Sequence, residues 1–204
     1  MHPYVEILCA AMRGMWGPEV SRSRTLARLV QHERQCEEWW KCEVATHLWD
    51  VADQCGKDTY VWLEAIDRAD VALATGTYVS GRLVAATAGE VCIPLELKMI
   101  GTFWGRGNVE KAYREPGKKR LEHDFIDARM GRRPAKPFSA VGLLVTHVGT
   151  GTDPLVELYL RRARELGAEH QLDRVLDEAV PLPPTADQPV YAHQFLWLAA
   201  STSP

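Results

Sequence analysis

Two charged side chains interrupt an apolar run in this chain, and their spacing points to chemistry. The run Glu90-Val91-Cys92-Ile93-Pro94-Leu95-Glu96-Leu97-Lys98-Met99-Ile100-Gly101 reads as one buried strand, too short for an isolated helix. Alternate residues of a strand share a face. Glu96 and Lys98 therefore stand side by side, while Leu95, Leu97 and Met99 face the other way. A carboxylate and an ammonium among apolar neighbours are costly to bury unless they are paired or bind an ion. Asp70 opens an earlier apolar run, Val71-Ala72-Leu73-Ala74. If the two strands are neighbours, two carboxylates and one ammonium converge. That set suits Mg2+, a hard ion that takes one or two protein carboxylates plus waters and phosphate oxygens; Mn2+ is a natural substitute. Phosphodiester hydrolysis uses such an arrangement. The metal neutralises the phosphate and acidifies the attacking water, while a nearby lysine orients that water or stabilises the developing charge. The bland alternative is an edge-strand ion pair that discourages aggregation, although an exposed edge should show more polar alternation.

These residues need a scaffold, and the chain spells one out. Residues 3–15 suit a short helix, stopped near Gly14 and Gly17-Pro18. From there to Cys55 there is no Gly or Pro, and Leu26, Leu29, Val30, Trp40, Val44, Leu48 and Val51 recur at roughly helical spacing. The reading is one long helix or two, broken near Gln31–Arg34. Strands are expected over 59–65, 69–74 and 78–86, the last turning at Gly81-Arg82 or at Thr87-Ala88-Gly89 into the Glu90–Gly101 strand. Lys118–Met130 reads as a helix closed by Gly131 and Pro134. Phe138–Val148 is a nearly continuous apolar strand, the mark of burial on both faces. Asp153-Pro154 opens a helix through Leu166. A further helix is expected over about Glu169–Ala179, then the Pro181–Pro184 linker and a last, edge strand over Pro189–Leu198. The fold class is an α/β sandwich with a mixed central sheet flanked by helices, residues 1–36 forming a helical N-terminal extension and 37–204 the α/β domain.

Asp70 followed by Glu96-Leu97-Lys98 on an apolar strand resembles the signature of the PD-(D/E)XK, or restriction-endonuclease-like, nuclease superfamily. The order of elements is similar to that family's core: a helix, three strands carrying Asp and Glu-x-Lys, a helix, then a further strand. The resemblance covers about Glu37–Val148 and implies a restriction-endonuclease-like core. It also implies Asp70 and Glu96 as ligands of Mg2+, Lys98 as the catalytic lysine, and a nucleic-acid substrate, DNA ahead of RNA. Many members place a glutamate of the first core helix in the site. Glu43 matches that position, with Glu38 as the fallback, and Asp67 is the alternative to Asp70. No Pro precedes Asp70, a departure from the motif.

Composition bounds the remaining choices. Apolar residues at 46% and charged residues at 25% are those of an ordinary globular protein. A formal charge of −3 excludes a simple polycation. A nucleic-acid surface must then be local, or supplied by a second copy or a partner subunit. The local candidate is the basic segment after Lys98, with Lys118, Lys119, Arg120, Arg132 and Arg133 as backbone contacts, although Glu110, Glu115, Glu122, Asp124 and Asp127 offset much of its charge. Five scattered cysteines without a C-x-x-C argue against a disulfide framework or a zinc site. The start lacks a signal peptide's pattern and no apolar run is long enough to span a bilayer, so a cytoplasmic protein without membrane association is expected. His147 reads as a polar residue at a strand end, and Trp104 as packing or a base-stacking side chain. The competing function is a catalytically silent copy of the fold, or an α/β interaction subunit whose Trp-rich N-terminal helix binds a partner.

Overall fold

The long Gly- and Pro-free stretch folds as two helices rather than one. In a computed structural model that describes residues 3–16, 21–32, 37–54, 59–63, 70–75, 78–79, 82–83, 92–102, 138–185 and 188–200, α1 spans Pro3–Gly14, α2 Ser21–Gln31 and α3 Glu37–Gln54. On α3 the buried positions Trp40, Lys41, Val44, Ala45, Leu48 and Ala52 recur at three- and four-residue intervals, the stripe that lets a helix lie on a sheet. The segment expected to be an extension contributes to the same core. Leu8 and Met12 of α1 and Leu26 and Val30 of α2 cluster with Val44 and Leu48, and with Leu95, Leu97 and Met99.

The strands are β1 (Thr59–Leu63), β2 (Val71–Thr75), β3 (Tyr78–Val79), β4 (Arg82–Leu83), β5 (Cys92–Gly101), β6 (Phe138–Val148), β7 (Asp173–Ala179) and β8 (Val190–Ala200), with α4 (Pro154–Glu169) between β6 and β7. Six of them form a mixed sheet in the order β1-β2-β5-β6-β8-β7. The β5–β6 pair is parallel and the other pairs are antiparallel. Parallel neighbours need a crossover of a dozen or more residues, which 103–137 supplies. The helix expected over Lys118–Met130 lies in that segment, outside the described residues.

The unbroken apolar run of β6 is explained by cover on both faces. Ala140 and Leu144 join the α1–α3 core, while Val141, Leu143 and Val145 meet Val156, Tyr159 and Ala163 of α4. Gly142 of β6 faces Leu97 of β5 across the parallel ladder. A Cβ there would come within 2.7 Å of Leu97 Cδ2 and 3.6 Å of the Trp40 ring, so the absent side chain makes room for α3 to sit on β5. Pro94 is tolerated within β5 for a topological reason. The Leu97 and Met99 N–H groups point away from β6, and alternation turns the Pro94 nitrogen toward it. The ladder with β6 starts only at Leu95, so no bond is lost.

Three expectations are corrected. The strand expected over 78–86 is a two-stranded ribbon, β3 with β4, outside the main sheet, which accounts for the long span between Asp70 and Glu96. The helix expected over Glu169–Ala179 is absent: α4 runs on to Glu169, Gln171 takes a left-handed φ of 56°, and the chain re-enters the sheet as β7. A register shift between Arg174 and Leu176 breaks the period-two pattern, and the charges that imitate a helix face serve cross-strand contacts instead. Last, β8 is not the edge. It lies between β6 and β7, so its His193, Gln194, Phe195, Leu196 and Trp197 are all buried.

Candidate functional site

The site forms where one strand stops and its neighbour continues. The ladder between β2 and β5 ends at Val71 opposite Leu95, whereas β5 stays paired with β6 as far as Gly101. The half of β5 that carries Glu96 and Lys98 therefore has β6 on one side only, among the described residues. Its outward N–H groups still need acceptors, and carboxylates supply them. The Leu97 N–H donates to Asp70 Oδ2 at 2.7 Å, and the Met99 N–H donates to Glu37 Oε2 at 3.1 Å. Asp70 and Glu37 thus stand in for the missing strand. Extending the ladder by one residue sets Asp70 opposite Glu96.

Two ammoniums bind the other oxygens. Lys41 Nζ lies 2.8 Å from Asp70 Oδ1, 3.0 Å from Glu38 Oε1 and 3.5 Å from Glu37 Oε1. Lys98 Nζ lies 3.3 Å from the same Glu37 oxygen. Lys41 is almost wholly buried. Burial alone would make its ammonium easier to deprotonate, but the Asp70 and Glu38 carboxylates outweigh that and raise its pKa. Helix geometry explains the set: Glu37 and Lys41 are four residues apart and share a face, and Glu37 sits in the first turn of α3, where the helix dipole favours a carboxylate.

Of the residues named from the sequence, Asp70 and Lys98 meet through this network, and Glu96 is beside Asp70 by register and half-buried. Glu43 is engaged elsewhere, with Arg22 Nε of α2 2.6 Å from its Oε2. The helical reason is direct. Six residues beyond Glu37, Glu43 is displaced by roughly 9 Å along the axis and about 120° around it. The α3 carboxylate that touches Lys98 is Glu37, and Glu38 reaches the network through Lys41. Asp67, Lys118, Lys119, Arg120, Arg132, Arg133 and Trp104 lie outside the described residues.

Lys41 and Glu37 are not among the site residues named from the sequence. The signal was there: Lys41 occupies the buried stripe with Ala45, Leu48 and Ala52, a position where a lysine without a carboxylate would be untenable. His147, expected at a polar strand end, is buried, and its Nδ1 lies 2.6 Å from the hydroxyl of Thr102 just beyond β5. Its Nε2 is 3.5 Å from Asp153, the N-cap of α4, whose Oδ1 accepts from the Leu155 N–H.

The donor set fits a hard divalent ion in kind. Asp70, Glu96 and Glu37 offer carboxylate oxygens, and Mg2+ needs only one or two of these with water and phosphate completing the shell. Each Asp70 oxygen has one partner among the described residues, whereas a carboxylate accepts about four bonds, so each retains a lone pair. Among the described residues no three His, Cys, Asp or Glu side chains are gathered closely enough to enclose an ion by themselves. No described helix is long and apolar enough to cross a membrane. Comparison of the chain with protein-family models, with curated proteins and with solved structures returns no match.

Proposed function

We propose that this chain is a Mg2+-dependent phosphodiesterase of restriction-endonuclease-like fold acting on nucleic acid, with DNA ahead of RNA. The position of Asp70 carries the reading. It stands where β2 leaves the sheet, opposite Glu96 by register, and accepts a hydrogen bond from the middle residue of Glu96-Leu97-Lys98. The order α3, β1, β2, β5, crossover, β6 supports it too. Asp70 and Glu96 would hold the ion, which when bound neutralises phosphate charge and acidifies water. Glu37 anchors Lys98 by one oxygen and the β5 backbone by the other. The ammonium is thereby held at a fixed place on the strand, ready to orient a nucleophilic water or to meet negative charge on phosphate oxygens.

The test is incubation with plasmid, linear duplex, single strands and RNA, each with Mg2+, Mn2+ or EDTA. Lys98→Ala and Glu96→Ala should each lose metal-dependent cleavage by about 100-fold or more while keeping the parent's circular dichroism. Parent-like cutting by both variants rules out the site. A second reading, a catalytically silent copy of the same fold, has one observation in its favour: the ammonium of Lys41 already lies on Asp70 Oδ1. No cleavage by the parent on any substrate with either metal would favour it.

A further inference from the structure

We infer that Lys41 is a resident cation at the metal position, and that a divalent ion binding Asp70 displaces its ammonium from Oδ1. This rests on the metal-dependent reading above and adds a rule for how the site is loaded.

The contacts make the case. Three carboxylates, Asp70, Glu37 and Glu38, face the Lys41 ammonium, and Glu37 is shared with Lys98. Lys98 does not fill the role of counter-ion to Asp70, because its ammonium lies on Glu37. Lys41 does, from a position in the buried stripe of α3. The shortest of its three ion pairs is the one to Asp70, and two further carboxylates, Glu38 and Glu37, lie within 3.5 Å of it. Released from Asp70, the ammonium keeps partners. Glu38, the more exposed of the two, gives it a place to go. A lysine suits such a part better than an arginine, being a compact charge on a flexible stem rather than a fork fixed on both oxygens. Without an ion, Lys41 keeps Asp70 and Glu37 from repelling one another; with an ion, the same ammonium is a competitor.

Direct binding of Mn2+, followed by its paramagnetic resonance signal and by calorimetry, tests this without reference to cleavage. Lys41→Met removes the charge and keeps the stem, and should bind Mn2+ at least about tenfold more tightly than the parent. Lys41→Gln, which leaves an amide donor for Asp70, serves if the Met variant does not fold. In the unaltered chain, amine methylation read by mass spectrometry should label Lys41 several-fold faster when Mg2+ is present. Equal or weaker Mn2+ binding by the variants, or a Lys41 labelling rate unmoved by Mg2+ that binds, overturns the inference and leaves the enzyme reading standing. Binding by a variant but not by the parent supports the inference and ends the parent's claim to be an active enzyme. Binding by neither overturns both.

Discussion

Two aspartates of this molecule are paired with cations, and they are held in opposite ways. Asp177 of β7 has four donors on its two oxygens: Arg164 binds both at 2.8 and 2.9 Å, Arg174 adds a contact at 2.8 Å, and His193 Nε2 another at 2.7 Å. Tyr191 then holds the other ring nitrogen of His193 at 2.9 Å. With Asp177 accepting at Nε2, that nitrogen carries the proton and Nδ1 accepts from the Tyr191 hydroxyl. Asp70 has a lysine on one oxygen and a backbone N–H on the other. The first carboxylate is saturated by forked guanidiniums and binds α4, β7 and β8 together. The second has one partner on each oxygen among the described residues, and its side-chain partner is the more flexible kind of cation. A buried acid is therefore a poor guide to function on its own. Spare lone pairs separate the candidate site from a clasp.

Exchanging the two tests the distinction. The largest effect should be that of Asp70→Asn on metal-dependent cleavage, a loss of about 100-fold or more, with Asp177→Asn leaving the rate per folded molecule near that of the parent. Stability should move the other way. Asp177→Ala strands two guanidiniums and a histidine at a largely buried position and should cost about 2–3 kcal/mol in urea denaturation. Gly142→Ala, which drives a methyl into Leu97 beside the Asp70 network, should cost about 1–2 kcal/mol by the same measurement; an unchanged midpoint would mean that α3 is not seated closely on β5.

The smallest effect is that of acid. Burial alone would raise the Asp177 carboxyl, but the hydrogen bonds from Arg164 and His193 outweigh it and hold its pKa at about 2. The His193 ring is lowered, burial outweighing the pull of Asp177. Both folded values lie below their ordinary ones. The stability they confer is thus present above the unfolded values and lost as pH falls, first below the ordinary histidine range and then from roughly pH 4 toward 2. The Asp177 part is about 1 kcal/mol after allowance for solvent screening, and it should vanish from the pH dependence of unfolding in Asp177→Asn.

How far the sequence disclosed this arrangement depended on which forces set each element. β6 was legible to the residue because burial on both faces leaves an uninterrupted apolar run, and α4 announced its start through Asp153-Pro154. The strand carrying Glu96 and Lys98 was legible because its other positions, among them Ile93, Leu95, Leu97, Met99 and Ile100, are apolar and buried. β7 was not, since one buried side chain, Leu176, and a register shift leave no period to read. The position of β8 inside the sheet is a matter of long-range pairing that no local pattern encodes. At the site, Asp70 and Lys98 stood out as charges in apolar runs. Glu37 and Lys41 went unnamed, since it is the end of β2 that gives them their partners.

The bulged, charged strand β7 has a consequence for self-association. As the outermost strand at its end of the sheet, it presents Asp173 and Arg174 as exposed residues, with a break in register between Arg174 and Leu176. A second copy extending the sheet there would have to accommodate these exposed charges and match a broken ladder, features that discourage edge-to-edge pairing. Among the described residues the opposite margin of the sheet is β1, a strand that carries no such break in register.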